Sequence, residues 1–100
     1  MASPNYRVLV TFAAQQDIAA IEAYLLGETS IETTARVIQA IEDRIRSLAS
    51  TPARFRSEQI AGRSFHIVSE GSYTVYYDID DEAVRVLRVL HGSRDREQVL

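Results

Sequence analysis

The sequence contains no cysteine. That removes disulfide scaffolds, thiolate zinc sites and cysteine nucleophiles, and it permits a reducing compartment. It contains no lysine either: all eleven basic residues are arginine. An arginine fork pairs bidentately with carboxylates and phosphates, where lysine is a point charge. Such arginines are equally at home on solvated faces. The four glycines are scattered, so no phosphate-cradling loop is present. No apolar run approaches membrane-spanning length, and residues 1–6 do not resemble a signal sequence. A soluble cytoplasmic protein with no membrane contact is expected.

What is present describes one small globular domain spanning 1–100. The apolar share is 46% and the charged share 25%, both ordinary for a folded chain. One hundred residues support a single modest core. The net charge of −3 argues against bulk electrostatic binding to nucleic acid, so specific DNA binding by this chain alone is not expected.

The stretch from Ser64 to Asp95 organises the rest. It reads as three short strands. Glu70-Gly71-Ser72 separates the first from the second, and Asp80-Asp81-Glu82 the second from the third. Both breaks are short and polar, hence hairpins. On the last strand Val84, Val86, Arg88 and Leu90 alternate with Arg85, Leu87, Val89 and His91. Both sets are largely apolar, which suits a central strand. Upstream, Tyr6 to Phe12 is β-branched and aromatic and reads as a further strand.

Ala13 to Gly27 reads as a helix with Ala14, Ile18, Ile21 and Leu25 on one side. Its start has no strong cap, and Gly27 is a plausible stop. Thr29 with Glu32 forms a capping box for a second helix reaching about Ser50. Val37, Ile38, Ile41, Ile45 and Leu48 form its apolar stripe. Thr51-Pro52 ends it. Ala53 to Arg63 reads as one long irregular segment, pinned to the core by Phe55 and Ile60. The fold expected is α+β in the order β-α-α-β-β-β: an antiparallel sheet with a packed helical hairpin. The first strand lies at a free edge or beside the last strand.

Chemistry is sparse. The two histidines, His66 and His91, lack partners at metal-ligand spacing, so no metal and no cofactor is expected. The acidic run Asp78, Asp80, Asp81, Glu82 suits a solvated hairpin turn better than a calcium loop. What remains is a set of residues read as gathering at one end of the sheet: Arg63 opening one strand, His91 closing another, then Arg94 and Asp95. Arginines there could hold a scissile phosphate while His91 moves a proton, with Glu58 or Glu70 as candidate base. The plainer alternatives are a strand-end histidine bonded to a carbonyl, and a local Arg94–Asp95 ion pair.

Over about Tyr6 to Leu100 the chain resembles the RelE/ParE superfamily of bacterial toxins. YRVLVTFAAQQDIAAIEAYL is similar to the family's opening strand and first helix, and RVIQAIEDRIRSLASTPARF to its second helix. SEGSYTVYYDIDDEAVRVLRVLHGSRD resembles the ParE branch, with an H-x-x-R-D ending at His91, Arg94 and Asp95. The resemblance implies a toxin of a type II toxin–antitoxin module, of the kind associated with plasmid stabilisation. It implies a hetero-oligomer with a ParD-like antitoxin and, for ParE-like members, DNA gyrase as the target. Arg56, Arg63, His91, Arg94 and Asp95 would then serve partner binding, with no catalytic residue. One alternative is a degenerate, inactive toxin kept as an antitoxin-binding or repressor-complex partner. RelE-like members, the other alternative, instead cut messenger RNA on the ribosome. On that alternative His91, Arg63, Arg85 and Arg88 would be catalytic. The acidic, lysine-free composition departs from such basic nucleases.

Overall fold

A computed structural model describes residues 5–92 of the protein. The elements are β1 (Arg7–Val10), α1 (Phe12–Glu28), α2 (Ile31–Ser47), one 3₁₀ turn (Pro52–Arg54), β2 (Ser57–Ile60), β3 (Arg63–Glu70), β4 (Tyr73–Ile79) and β5 (Ala83–His91). The five strands form one sheet in the order β1-β5-β4-β3-β2. β1 runs parallel to β5, and the other pairings are antiparallel. The last strand is therefore central, as its two apolar faces require. The helical hairpin lies against one face of the sheet.

Local chemistry sets the helix ends. Thr11 caps α1: its hydroxyl accepts from the Ala14 N–H at 3.2 Å and donates to the Val86 carbonyl at 2.8 Å. That one side chain ties the start of α1 to the middle of β5. Gly27 does not stop the helix, which runs on to Glu28, and the Thr29 N–H donates to Leu25 O at 2.8 Å. Thr29 is thus the end of α1. Ser30, not Thr29, caps α2, and its Oγ accepts from the Thr33 N–H at 3.0 Å. Two adjacent hydroxyl residues each could cap; the one that reaches the third residue of the helix does so.

The segment expected to be irregular contains the 3₁₀ turn and β2. β2 pairs with β3 through a two-residue turn, Ala61-Gly62, both with positive φ (51° and 81°). That is the geometry a tight hairpin needs, and an L-residue such as Ala61 adopts it only under constraint.

Two cores result. On the helix side Ala14, Ile41, Ile45 and Leu48 meet Val75, Tyr77, Val84, Val86 and Val89. On the opposite side Ile60, Phe65, Ile67, Tyr76 and Leu90 cluster. The division departs from simple alternation on β5. Tyr76 faces Arg88, but Tyr77 faces Val86, so Leu87 is an extra residue in a β-bulge. Beyond it the phase inverts. Val89, not Arg88, joins the helix-side core, and Leu90 turns to the other face.

One buried group is out of place. Thr34 in α2 is 2% exposed, and its Oγ1 has no hydrogen-bond partner. Thr34→Val removes that orphan hydroxyl while keeping the shape, and is expected to raise unfolding stability by about 1 kcal/mol in urea titrations.

Candidate functional site

The sheet topology separates residues that the sequence suggests as neighbours. β3 and β5 both run antiparallel to β4, so they point the same way. Arg63 begins β3 and His91 ends β5, which puts them at opposite ends of the sheet. Arg63 lies over the Phe65 ring, 5.1 Å from its centroid, on the face away from the helices. His91 lies opposite Tyr73, with the rings edge-on at 5.4 Å, on the helix side. The cluster expected at one end of the sheet is therefore not assembled from these two. Arg94 and Asp95 lie outside the described residues.

The other described candidate arginines, Arg85, Arg88 and Arg56, are engaged with acids. Arg85 donates through Nε and Nη2 to the two oxygens of Asp78, at 2.9 and 2.6 Å. These bonds, with the Asp78 charge behind them, raise the Arg85 pKa. Arg88 grips Asp17 in the same way, at 2.7 and 2.8 Å, and its pKa is also raised by those bonds. The Asp17 carboxylate accepts a third bond, from the Val89 backbone N–H at 2.9 Å. β1 ends at Val10, so this N–H sits on a stretch of β5 that β1 does not cover. Asp17 fills that place and fastens α1 to the strand. Arg56 pairs with Glu58 at 3.1 Å on the opposite edge of the sheet.

Neither candidate base stands beside His91. Glu58 is on β2, opposite Phe65 and on the other face. Glu70 lies two strands from His91, with Tyr73 between them, and accepts from Arg44 at 3.2 Å. His66, the other histidine, is structural. Its Nδ1 is 3.2 Å from the Phe55 carbonyl, and its ring stacks on Tyr77 at 5.4 Å.

Two grooves lie along the helical hairpin, and a smaller hollow of about 350 Å³ lies on the opposite face of the sheet beside Arg56, Glu58, Ile67 and Tyr76. A groove of about 860 Å³ is walled by Ile21, Tyr24 and Leu25 of α1, Val37 and Ala40 of α2, and Tyr73 and His91 of the sheet. Arg36 and Glu70 stand among its lining residues. Its walls are mainly apolar, which suits a hydrophobic segment of a partner protein better than a phosphate. On the other side of the hairpin a groove of about 630 Å³ runs between α1, α2 and β1, past Val8, Val10, Ile18 and Ile45. Of the residues lining these two grooves, His91 and Glu70 are among the site candidates that sequence reasoning picked out. Asp17 carried a legible signal: it is an acid beside the buried stripe of α1.

The family described as ParE toxin of type II toxin–antitoxin systems, parDE, matches residues 8–96. The chain belongs to the ParE toxin family. Two solved structures share the architecture of this ParE-family toxin. A chain of the chromosomal ParDE toxin–antitoxin system from P. aeruginosa aligns with a TM-score of 0.79 at 15% identity, over 90% of this chain and 99% of that one. A chain of the RelBE2 toxin–antitoxin complex from Mycobacterium tuberculosis aligns with a TM-score of 0.66 at 23% identity, over 87% of this chain and 98% of that one. No curated protein matches the sequence. Among the described residues, no helix of the toxin is long and apolar enough to cross a membrane.

Proposed function

We propose that this ParE-family toxin inhibits DNA gyrase through protein–protein contacts, without chemistry of its own. A ParD-like antitoxin neutralises it by laying an apolar segment along the grooves of the helical hairpin. The observation that carries the first part is the state of the arginines. Arg85 and Arg88 each close on a carboxylate through two hydrogen bonds, and Arg63 lies at the far end of the sheet from His91. A nuclease centre needs cations free to receive a phosphate next to an acid–base pair. The second part is supported by the mainly apolar groove beside α1 and α2, where Arg36 can receive an acidic residue of the antitoxin.

The test is a supercoiling assay with purified full-length toxin, gyrase, ATP and relaxed plasmid. Loss of supercoiling near stoichiometric toxin is expected, with messenger RNA left intact on ribosomes under the same conditions. Adding a ParD-like antitoxin should restore supercoiling. Tyr24 is 64% exposed at the groove, and aromatic anchors of this kind contribute about 2 kcal/mol to binding. Tyr24→Ala toxin should then bind antitoxin about 30-fold more weakly. Ribosome-dependent cleavage that disappears in His91→Ala would overturn the gyrase assignment.

A further inference from the structure

The side of α1 turned away from the sheet carries no charge. Phe12, Gln16, Ala19, Ala23 and Leu26 lie along it, all exposed; Phe12 is 71% and Leu26 50% open. The inward stripe is Ala14, Ile18, Ile21 and Leu25, so α1 is apolar on both sides. A helix apolar on all sides is normally covered on all sides.

The spacing indicates what covers it. Phe12, Gln15, Ala19, Ala23 and Leu26 are separated by steps of three, four, four and three, the same from either end. Phe12 and Leu26 each lie seven residues from Ala19, about 10.5 Å along the axis. An antiparallel copy rotated about an axis at Ala19 therefore sets Phe12 on Leu26 at both ends. The two Ala19 methyls meet in the middle, which lets the helix axes approach to about 8 Å. On one flank the Gln15 amide of each copy, whose Nε2 already donates to the Val10 carbonyl at 2.9 Å, turns its second N–H toward the Glu22 carboxylate of the other. A parallel pairing would set Phe12 on Phe12 and Glu22 beside Glu22, like charge on like.

We propose that this face of α1 is a homotypic interface, joining two copies of the toxin antiparallel about a twofold axis at Ala19. The contact strip is one helix wide, which places the dimer among small, transient interfaces. The proposal is independent of the gyrase assignment; Gln15, Ala19 and Glu22 also line the groove between α1, α2 and β1, so this dimer and an antitoxin segment in that groove exclude one another.

Sedimentation of the full-length toxin at about 100 μM, above the Kd of a weak interface, should detect a dimer that dilutes to monomer. Ala19→Glu buries a carboxylate at the axis and should weaken the dimer about 100-fold or more. Ala13→Glu, on the same helix but about a third of a turn away, should leave it intact. The absence of natural cysteine gives a second measurement. Ala19→Cys should form a disulfide-linked dimer under mild oxidation, and Ala13→Cys should not. A toxin monomeric at that concentration, a dimer indifferent to Ala19→Glu, or equal crosslinking at both positions would overturn the interface.

Discussion

Asp17→Ala is expected to lower the unfolding free energy of the toxin by about 3 kcal/mol, the range for breaking a buried hydrogen-bonded ion pair. For a domain of this size that is a fall in Tm of about 15 °C. The Asp17 side chain is 12% exposed and that of Arg88 23%. Alanine leaves the Arg88 guanidinium without its carboxylate in a site that admits little water. It also leaves the Val89 N–H without its acceptor on the stretch of β5 beyond β1. The loss should exceed that of any exposed pair. Arg46 and Asp43, for instance, sit 2.6 Å apart with both side chains more than half exposed, and screening by water leaves such contacts nearly neutral. Replacing both partners, Asp17→Leu with Arg88→Met, should cost less than Asp17→Ala alone, because the stranded cation goes with the acid. Urea denaturation of the three proteins, wild type, single and double variant, measures this directly, and a single-mutant loss under about 1 kcal/mol would contradict the role given to Asp17.

Tyr77→Ala is expected to cost about 4 kcal/mol. Tyr77 is fully buried at the centre of β4. Its ring stacks on His66, and its hydroxyl donates to the Pro52 carbonyl at 2.5 Å, holding the 3₁₀ turn against the sheet. Tyr77→Phe keeps the ring and loses only the bond, at about 1 kcal/mol. The same burial gives an alkaline signature. It pushes the Tyr77 pKa up to about 12, from 10.0. The unfolded chain therefore releases the phenol proton above pH 10 while the folded chain keeps it. The contribution is intact below pH 10 and is lost as pH rises toward 12. In this window stability should fall by up to about 1.4 kcal/mol per pH unit from this group. Tyr77→Phe should remove that share of the slope, and an unchanged slope would show that other groups set it.

The parts of the fold legible in the sequence are those with a strong repeat. The α2 stripe, the two polar hairpin breaks and the two-sided apolar character of β5 all led to the observed elements. β2 escaped because Ser57–Ile60 is a short edge strand with a single apolar residue, and Ala61-Gly62 is a weak turn signal. The bulge at Leu87 escaped for the opposite reason. Val84 to Leu90 is apolar in either phase, so nothing in the pattern marks where the phase inverts. That inversion carries Val89 and His91 to the helix side. The expected cluster of Arg63 and His91 failed on direction: alternate strands of a meander run the same way, so the start of one and the end of the other lie at opposite rims. The groove beside α1 and α2 follows from the packed helical hairpin that the family resemblance implies, and no local motif announces it.

The interior position of β5, between β1 and β4, has a consequence for biosynthesis. Translation proceeds from β1 toward β5, yet β1 has no neighbour in the sheet except β5, some 76 positions later in register. Closing so long a loop is slow relative to local hairpins. The nascent toxin therefore emerges with its first strand unpaired and its helical stripes uncovered, a state in which a chaperone or an inhibitor can engage it before the poison exists.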